Sequence, residues 1–190
     1  LHDAAVIEAV CAELETLAPE VPVVVDPVMV AQSGDSLLEA GAVETLRTRL
    51  APRATVLTPN APEAERLVGR QIADVAGMVE AAYDLLDLGP EAVLVKGGHL
   101  DGATVSDVLA TRDGHETFAS PRLDTPHTHG TGCTLASAIA TGLAQGLGLR
   151  AAVVRARAYL QKALRTAPGL GQGHGPVNHG HTVRPFDGRE

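Results

Sequence analysis

A chain of 190 residues is long enough for one full-sized domain, and its make-up (45% hydrophobic, 20% charged, mean hydropathy +0.09) is that of a globular protein. Only 2% of the residues are aromatic and none is Trp, so the core must be built from Ala, Val, Leu and Ile, which suits a parallel sheet under Ala-rich helices and offers no platform for stacking bases. The formal net charge of −8 argues again against a nucleic-acid surface.

Two cysteines, Cys11 and Cys133, are too few for a disulfide framework, and no run approaches the ~18 apolar residues of a membrane span. A cytoplasmic protein with no membrane partner is the expectation. Residues 3–17 predict a helix with Val6, Val10, Leu14 and Leu17 at helical spacing and Asp3 as its N-cap. Because the sequence opens on Leu1 and runs directly into this pattern, the chain is expected to start inside a larger domain. Val21–Val25 predicts a buried strand ending in Asp26-Pro27, and a second helix is expected from Asp35 or Ser36 to Leu50.

A second strand, Ala54–Leu57, ends in Thr58-Pro59-Asn60. Helices follow at Ala61–Val68 and Asp74–Leu88, the latter closed by Gly89-Pro90. The third strand, Ala92–Val95, ends in Lys96-Gly97-Gly98, and residues 104–110 and 115–119 flank Asp113-Gly114, a hairpin signal. Gly130–Leu147 and Ala151–Thr166 read as Ala-rich helices, and residues 169–190 as a loop-rich tail. Strands alternating with helices predict an α/β fold, a mostly parallel sheet with helices on both faces, in a single domain spanning 1–190. Ligands in such sheets sit outside the carboxyl ends of the strands, where three polar strand ends converge.

The segment Gly130-Thr131-Gly132-Cys133 opens a helix. Its glycines permit close backbone approach, and the free amides of the helix start suit a phosphate or the charge developing in phosphoryl transfer. Cys133 falls in the first turn, where the helix dipole favours a thiolate; a plain Gly-rich turn with a structural Cys fits the same letters. No GxxxxGK[ST] or GxGxxG occurs, so a nucleotide would be held by another kind of loop. Asn60 and Glu63 have the spacing of a capping box, which explains them without a ligand, and equally the chemistry to hold a hydrated Mg²⁺. Asp26 caps a turn or serves a site. Lys96 is solvated or a point charge for phosphate. The pairs and singles of His in 127–129 and 174–181 lack zinc spacing, and Cys11 reads as core.

Taken together, VVVDPVMVAQSGDSLL (23–38), TVLTPNAPEAERL (55–67), VLVKGGHL (93–100), TPHTHGTGCTLASAIATGLAQG (125–146) and GPVNH (175–179) resemble hydroxymethylpyrimidine/phosphomethylpyrimidine kinase of thiamine biosynthesis, in the ribokinase-like superfamily. The resemblance implies transfer of phosphate from ATP, with Mg²⁺, to 4-amino-5-hydroxymethyl-2-methylpyrimidine and then to its monophosphate, a small-molecule pyrimidine. It implies an anion hole at Gly130, Thr131, Gly132 and Cys133, with Cys133 standing where most sugar kinases of the superfamily have an Asp base and so facing the acceptor. Asn60 and Glu63 match the family's NxxE element near Mg²⁺, Asp26 a residue near metal and phosphates, Lys96 and Gly98 the ATP site, and Met29 a neighbour of the pyrimidine. The family's usual first βα units have no counterpart, so the fold is expected to be N-terminally truncated, with a sheet edge that would favour homo-oligomers. A pyridoxal kinase of the Cys-containing type, and a catalytically impaired nucleotide-binding fragment, are the alternatives.

Overall fold

The computed structural model describes residues 2–17, 19–29 and 37–183, and the chain divides into two compact units, Leu1–Arg122 and Leu123–Glu190. In the first unit run α1 (Ala4–Leu17), β1 (Val24–Val25), α2 (Ala40–Thr45), β2 (Val56–Leu57), α3 (Ala61–Val68), α4 (Val75–Leu86), β3 (Ala92–Lys96), β4 (Thr104–Thr111) and β5 (Gly114–Pro121). The second holds α5 (Thr131–Ala144), α6 (Leu149–Arg165) and a 3₁₀ turn at His179–Thr182.

The five strands form one sheet in the order β1-β2-β3-β4-β5. The first three are parallel, with Val24 opposite Val56 and Leu57 opposite Val93. The hairpin expected around Asp113-Gly114 adds β4 and β5 antiparallel, Lys96 lying opposite Asp107. The α/β class therefore holds, and three parallel neighbours bring their carboxyl ends to one edge of the sheet.

Local chemistry explains most boundaries. Asp3 caps α1 by accepting from the Val6 amide at 2.9 Å, and Asp74 caps α4 through the Gly77 amide at 2.8 Å. The face of α1 that packs inward differs from the one expected: Ile7 and Cys11 are buried, whereas Val6, Val10 and Leu17 are 43%, 36% and 75% exposed. Both sets satisfy helical spacing. Packing against α2 and the turn after it selected the set containing Ile7 and Cys11.

The second helix also departs from expectation. Asp35 and Ser36 lie outside the described residues, and the helix present starts at Ala40. It widens into a π turn over Leu46–Leu50, which keeps both Leu46 and Leu50 buried, and tightens to a 3₁₀ turn at Ala51–Arg53 around Pro52.

In the second unit α5 and α6 approach closely. A Cβ on Gly142 would stand 2.8 Å from that of Ala152, and Leu135, Ile139, Val153 and Ala156 fill the space beside them. The expected loop-rich tail is tied down over part of its length. Asn178 donates its amide to Ala163 O at 3.0 Å and its side-chain Nδ2 to Thr166 Oγ1 at 3.1 Å. Among the described residues, no helix is long and apolar enough to cross a membrane.

Gly142→Ala should lower the stability of the second unit by about 1–3 kcal/mol, because the added methyl overpacks the α5–α6 contact. Gly41→Ala, where a Cβ meets open space within α2, should instead be neutral or stabilising by up to about 1 kcal/mol. Urea unfolding midpoints of the two variants check the opposite signs.

Candidate functional site

In the first unit, Asp26, Thr58 and Asn60 follow directly on β1 and β2, and Lys96 is the last residue of β3. Pro27 and Pro59 keep the residues before them extended, so each strand leaves the sheet without curling into a helix. Backbone bonds then lock the three ends: Thr58 N donates to Val25 O and Lys96 N to Pro59 O, both at 2.8 Å. Asn60 bridges Lys96 in parallel register.

This frame brings four of the sequence-identified residues together. Lys96 Nζ donates to Asp26 Oδ1 at 2.7 Å and lies 3.9 Å from Glu63 Oε2, and the three side chains are only 12%, 12% and 8% exposed. Thr58 Oγ1 donates to the same Asp26 oxygen at 3.1 Å. The capping box at the start of α3 is fully formed, with Asn60 Oδ1 accepting from Glu63 N at 2.9 Å and Glu63 Oε2 accepting from Asn60 N at 2.7 Å. The turn geometry thus explains the Asn60–Glu63 spacing, and the same cap holds the Glu63 carboxylate beside Lys96.

Burial pushes the Glu63 carboxyl above its ordinary value, and the charge of Asp26 adds to the push. Lys96, the Asn60 amide and Arg66 pull the other way. Asp26 Oδ2 is buried and has no hydrogen-bond partner. Such an atom, beside a second carboxylate, suits a divalent cation that keeps most of its waters, as Mg²⁺ does. The described residues hold no cluster of three or more His, Cys, Asp or Glu that could cage a metal, so a cation here would rely on water and phosphate oxygens.

Gly98 is exposed, and a Cβ on it would meet open space. Gly97 beside it admits no side chain, since a Cβ would stand 2.0 Å from Ser106 O. Its amide donates to the buried Asp107 Oδ1 at 3.1 Å. Asp107 was not singled out by sequence reasoning; only its place opposite Lys96 in the β3–β4 register reveals it. Met29, expected near a pyrimidine, is 1% exposed and belongs to the core of the first unit.

In the second unit, Gly130 is the N-cap of α5 in a left-handed conformation (φ +85°, ψ +8°) with no side chain to cap the helix, a conformation that favours glycine. The first ladder bond runs from Thr134 N to Gly130 O at 2.9 Å, and Thr131 N turns back to Thr128 O at 3.3 Å. The amides of Gly132 and Cys133 therefore lie ahead of the ladder, the position from which helix starts hold anions. Cys133 is exposed in the first turn and free of any disulfide. The preceding loop is fastened by His129 N donating to Gly175 O at 3.2 Å.

Solved structures similar to this chain include pyridoxal and phosphomethylpyrimidine kinases. The chain matches the pyridoxal kinase of Staphylococcus aureus in complex with AMP-PCP with a TM-score of 0.88 and 31% identity, over 97% of this chain and 67% of that one. It matches the phosphomethylpyrimidine kinase of Clostridium difficile with a TM-score of 0.74 and 37% identity, over 86% and 65%. The fold is thus that of the ribokinase-like kinases. The family model described as phosphomethylpyrimidine kinase matches residues 1–178, and the chain belongs to that family. It is 51% identical to a thiamine biosynthesis bifunctional protein of Geobacter sulfurreducens over 94% of this chain and 36% of that protein. With a hydroxymethylpyrimidine/phosphomethylpyrimidine kinase of Streptomyces coelicolor it shares 48% over 85% of this chain and 60% of that one. The chain thus spans about a third of the first of these curated relatives and three fifths of the second.

Because the fold holds Glu63 above the value near 4.3 of an unfolded Glu, it favours the protonated form. The stability this gives is full below the unfolded value and is lost as pH rises through the folded one. Glu63→Gln keeps an acceptor for the Asn60 amide and cannot titrate. Its unfolding free energy relative to the parent should therefore improve between about pH 4 and about pH 7. Urea titrations at both pH values measure this, and a pH-independent difference would contradict it.

Proposed function

We propose that this chain supplies ATP-dependent phosphorylation of 4-amino-5-hydroxymethyl-2-methylpyrimidine and of its monophosphate. The observation that carries the reading is the family match over residues 1–178, within which the 130–133 loop and the Asp26–Lys96–Glu63 group both fall. Phosphoryl transfer asks a protein mainly for positioning and for stabilisation of developing negative charge. The amides at the start of α5 would meet that charge on the transferred group. Lys96 would offer a point charge to phosphate while Asp26, itself held by Thr58, orients its ammonium.

Bound Mg²⁺ neutralises phosphate oxygens, and Asp26 and Glu63 are the residues that would hold it through its waters. Asn60 keeps the Glu63 carboxylate in place through the capping box. Gly98 offers bare backbone along the nucleotide. Met29 would act on the pyrimidine indirectly, from the core beneath the strand ends. Cys133, as thiolate, would take the proton from the hydroxymethyl group. This reading carries a cytoplasmic setting with it.

Pyridoxal phosphorylation is the second reading, favoured by the TM-score of 0.88 to the Staphylococcus aureus pyridoxal kinase. The identity of 48% to a pyrimidine kinase against 31% to that enzyme weighs for the pyrimidine. ADP release with pyrimidine, pyrimidine monophosphate and pyridoxal as acceptors decides between them, and release with none of the three sinks both. The monophosphate is already ionised and needs no base. Cys133→Ala should therefore slow the first transfer by about 10²-fold or more and the second by much less. Equal loss in both would show that Cys133 acts only through the shape of the loop.

A further inference from the structure

The turn that follows Lys96 is held by an arginine that neither the motifs nor the proposed chemistry has drawn on. Residues 97–102 leave β3 and return to β4. Leu100 N donates to Gly97 O at 3.1 Å, and the root of the turn is pinned by Gly97 against Ser106 and Asp107. The rest of the turn has no strand partner. Arg122, one residue past β5, supplies the missing support. Its Nε donates to Gly102 O at 2.7 Å, Nη1 to Gly98 O at 2.9 Å and Nη2 to Leu100 O. Its own amide donates to Ala103 O at 2.8 Å, which fixes the base of the side chain beside the turn.

One planar guanidinium thus gathers three carbonyls spread over five residues. Lysine has a single donor nitrogen and cannot copy the fork. An exposed turn containing Gly97, Gly98 and Gly102 would otherwise have to be ordered when a ligand arrives, at a cost taken from affinity. With its carbonyls drawn onto Arg122, the turn is preformed, and open space remains over Gly98, two residues from Lys96.

We propose that Arg122 is a positioning residue for nucleotide. It holds 97–102 as a preformed backbone rim for a nucleoside triphosphate, with Lys96 at its root. The proposal rests on the kinase reading in taking nucleotide as the ligand of this turn.

The test compares the parent chain with Arg122→Ala and Arg122→Lys by hydrogen exchange of residues 97–102 and by titration with MgATP and, separately, with the pyrimidine. In both variants exchange over 97–102 should quicken and MgATP affinity fall by about tenfold, while pyrimidine affinity stays within about twofold. Millimolar guanidinium should restore part of the MgATP affinity of Arg122→Ala but not of Arg122→Lys. The lysine variant keeps the charge and the stem, so it still reports if the alanine variant folds poorly. Unchanged exchange overturns the proposal. So does faster exchange with unchanged MgATP affinity, or an equal loss for both ligands. A parent that binds MgATP yet phosphorylates neither pyrimidine nor pyridoxal removes the kinase reading alone, and the MgATP comparison still decides the role of Arg122. A parent with no MgATP affinity overturns both.

Discussion

Lys96 sits at the end of the middle of five strands with two carboxylates beside it, nearly shut off from water. With all three groups ionised the set carries one net negative charge; removing Lys96 would strand Asp26 beside Glu63, and removing Asp26 would leave Lys96 with only the more distant Glu63. Breaking a buried pair by deleting one partner costs about 3–5 kcal/mol, far more than the pair itself contributes over an apolar substitute. The arrangement therefore constrains the chain more than it stabilises it. Asp26 must leave β1 extended, Asn60 must cap α3, and β3 must run one residue further than its apolar run suggests. The parallel register of β1, β2 and β3 satisfies all three demands at once.

The capping box shows how one carboxylate serves two ends. A helix start needs acceptors for its leading amides, and Glu63 Oε2 meets that need by accepting from Asn60 N at 2.7 Å. The same bond fixes the side chain beside Lys96, and Lys96 and the Asn60 amide offset part of the burial that opposes its ionisation. In sequence the local and the functional explanations of Asn60 and Glu63 compete; in three dimensions the cap is the means by which the carboxylate is held. The second unit uses a different economy. Gly130 has no side chain to cap α5, which leaves the Gly132 and Cys133 amides ahead of the helical ladder and the backbone able to come close to an anion.

Asp26, Asn60, Glu63, Lys96 and the 130–133 loop stood out because they stand at strand ends or helix starts, and such places carry strong local signals: a proline after the strand, an N-cap, a glycine of positive φ. The α3 boundaries and the hairpin were legible for the same reason. Arg122 and Asp107 were not. Their roles come from bonds to backbone atoms 10 to 24 residues away, and no local pattern records such pairings.

Composition, patterning and motif spacing by themselves determined the α/β class, the order of the elements, the strand ends that carry Asp26, Asn60 and Lys96, and the family, because those depend on periodicity and on turn chemistry within a few residues. Tertiary structure alone decided which face of α1 turns inward, the widening of the helix at Leu46–Leu50, and the grouping of Asp26, Lys96 and Glu63 about one charge. Several faces and registers satisfy the same spacing in sequence, and only packing and the cost of burying an unpaired charge choose among them.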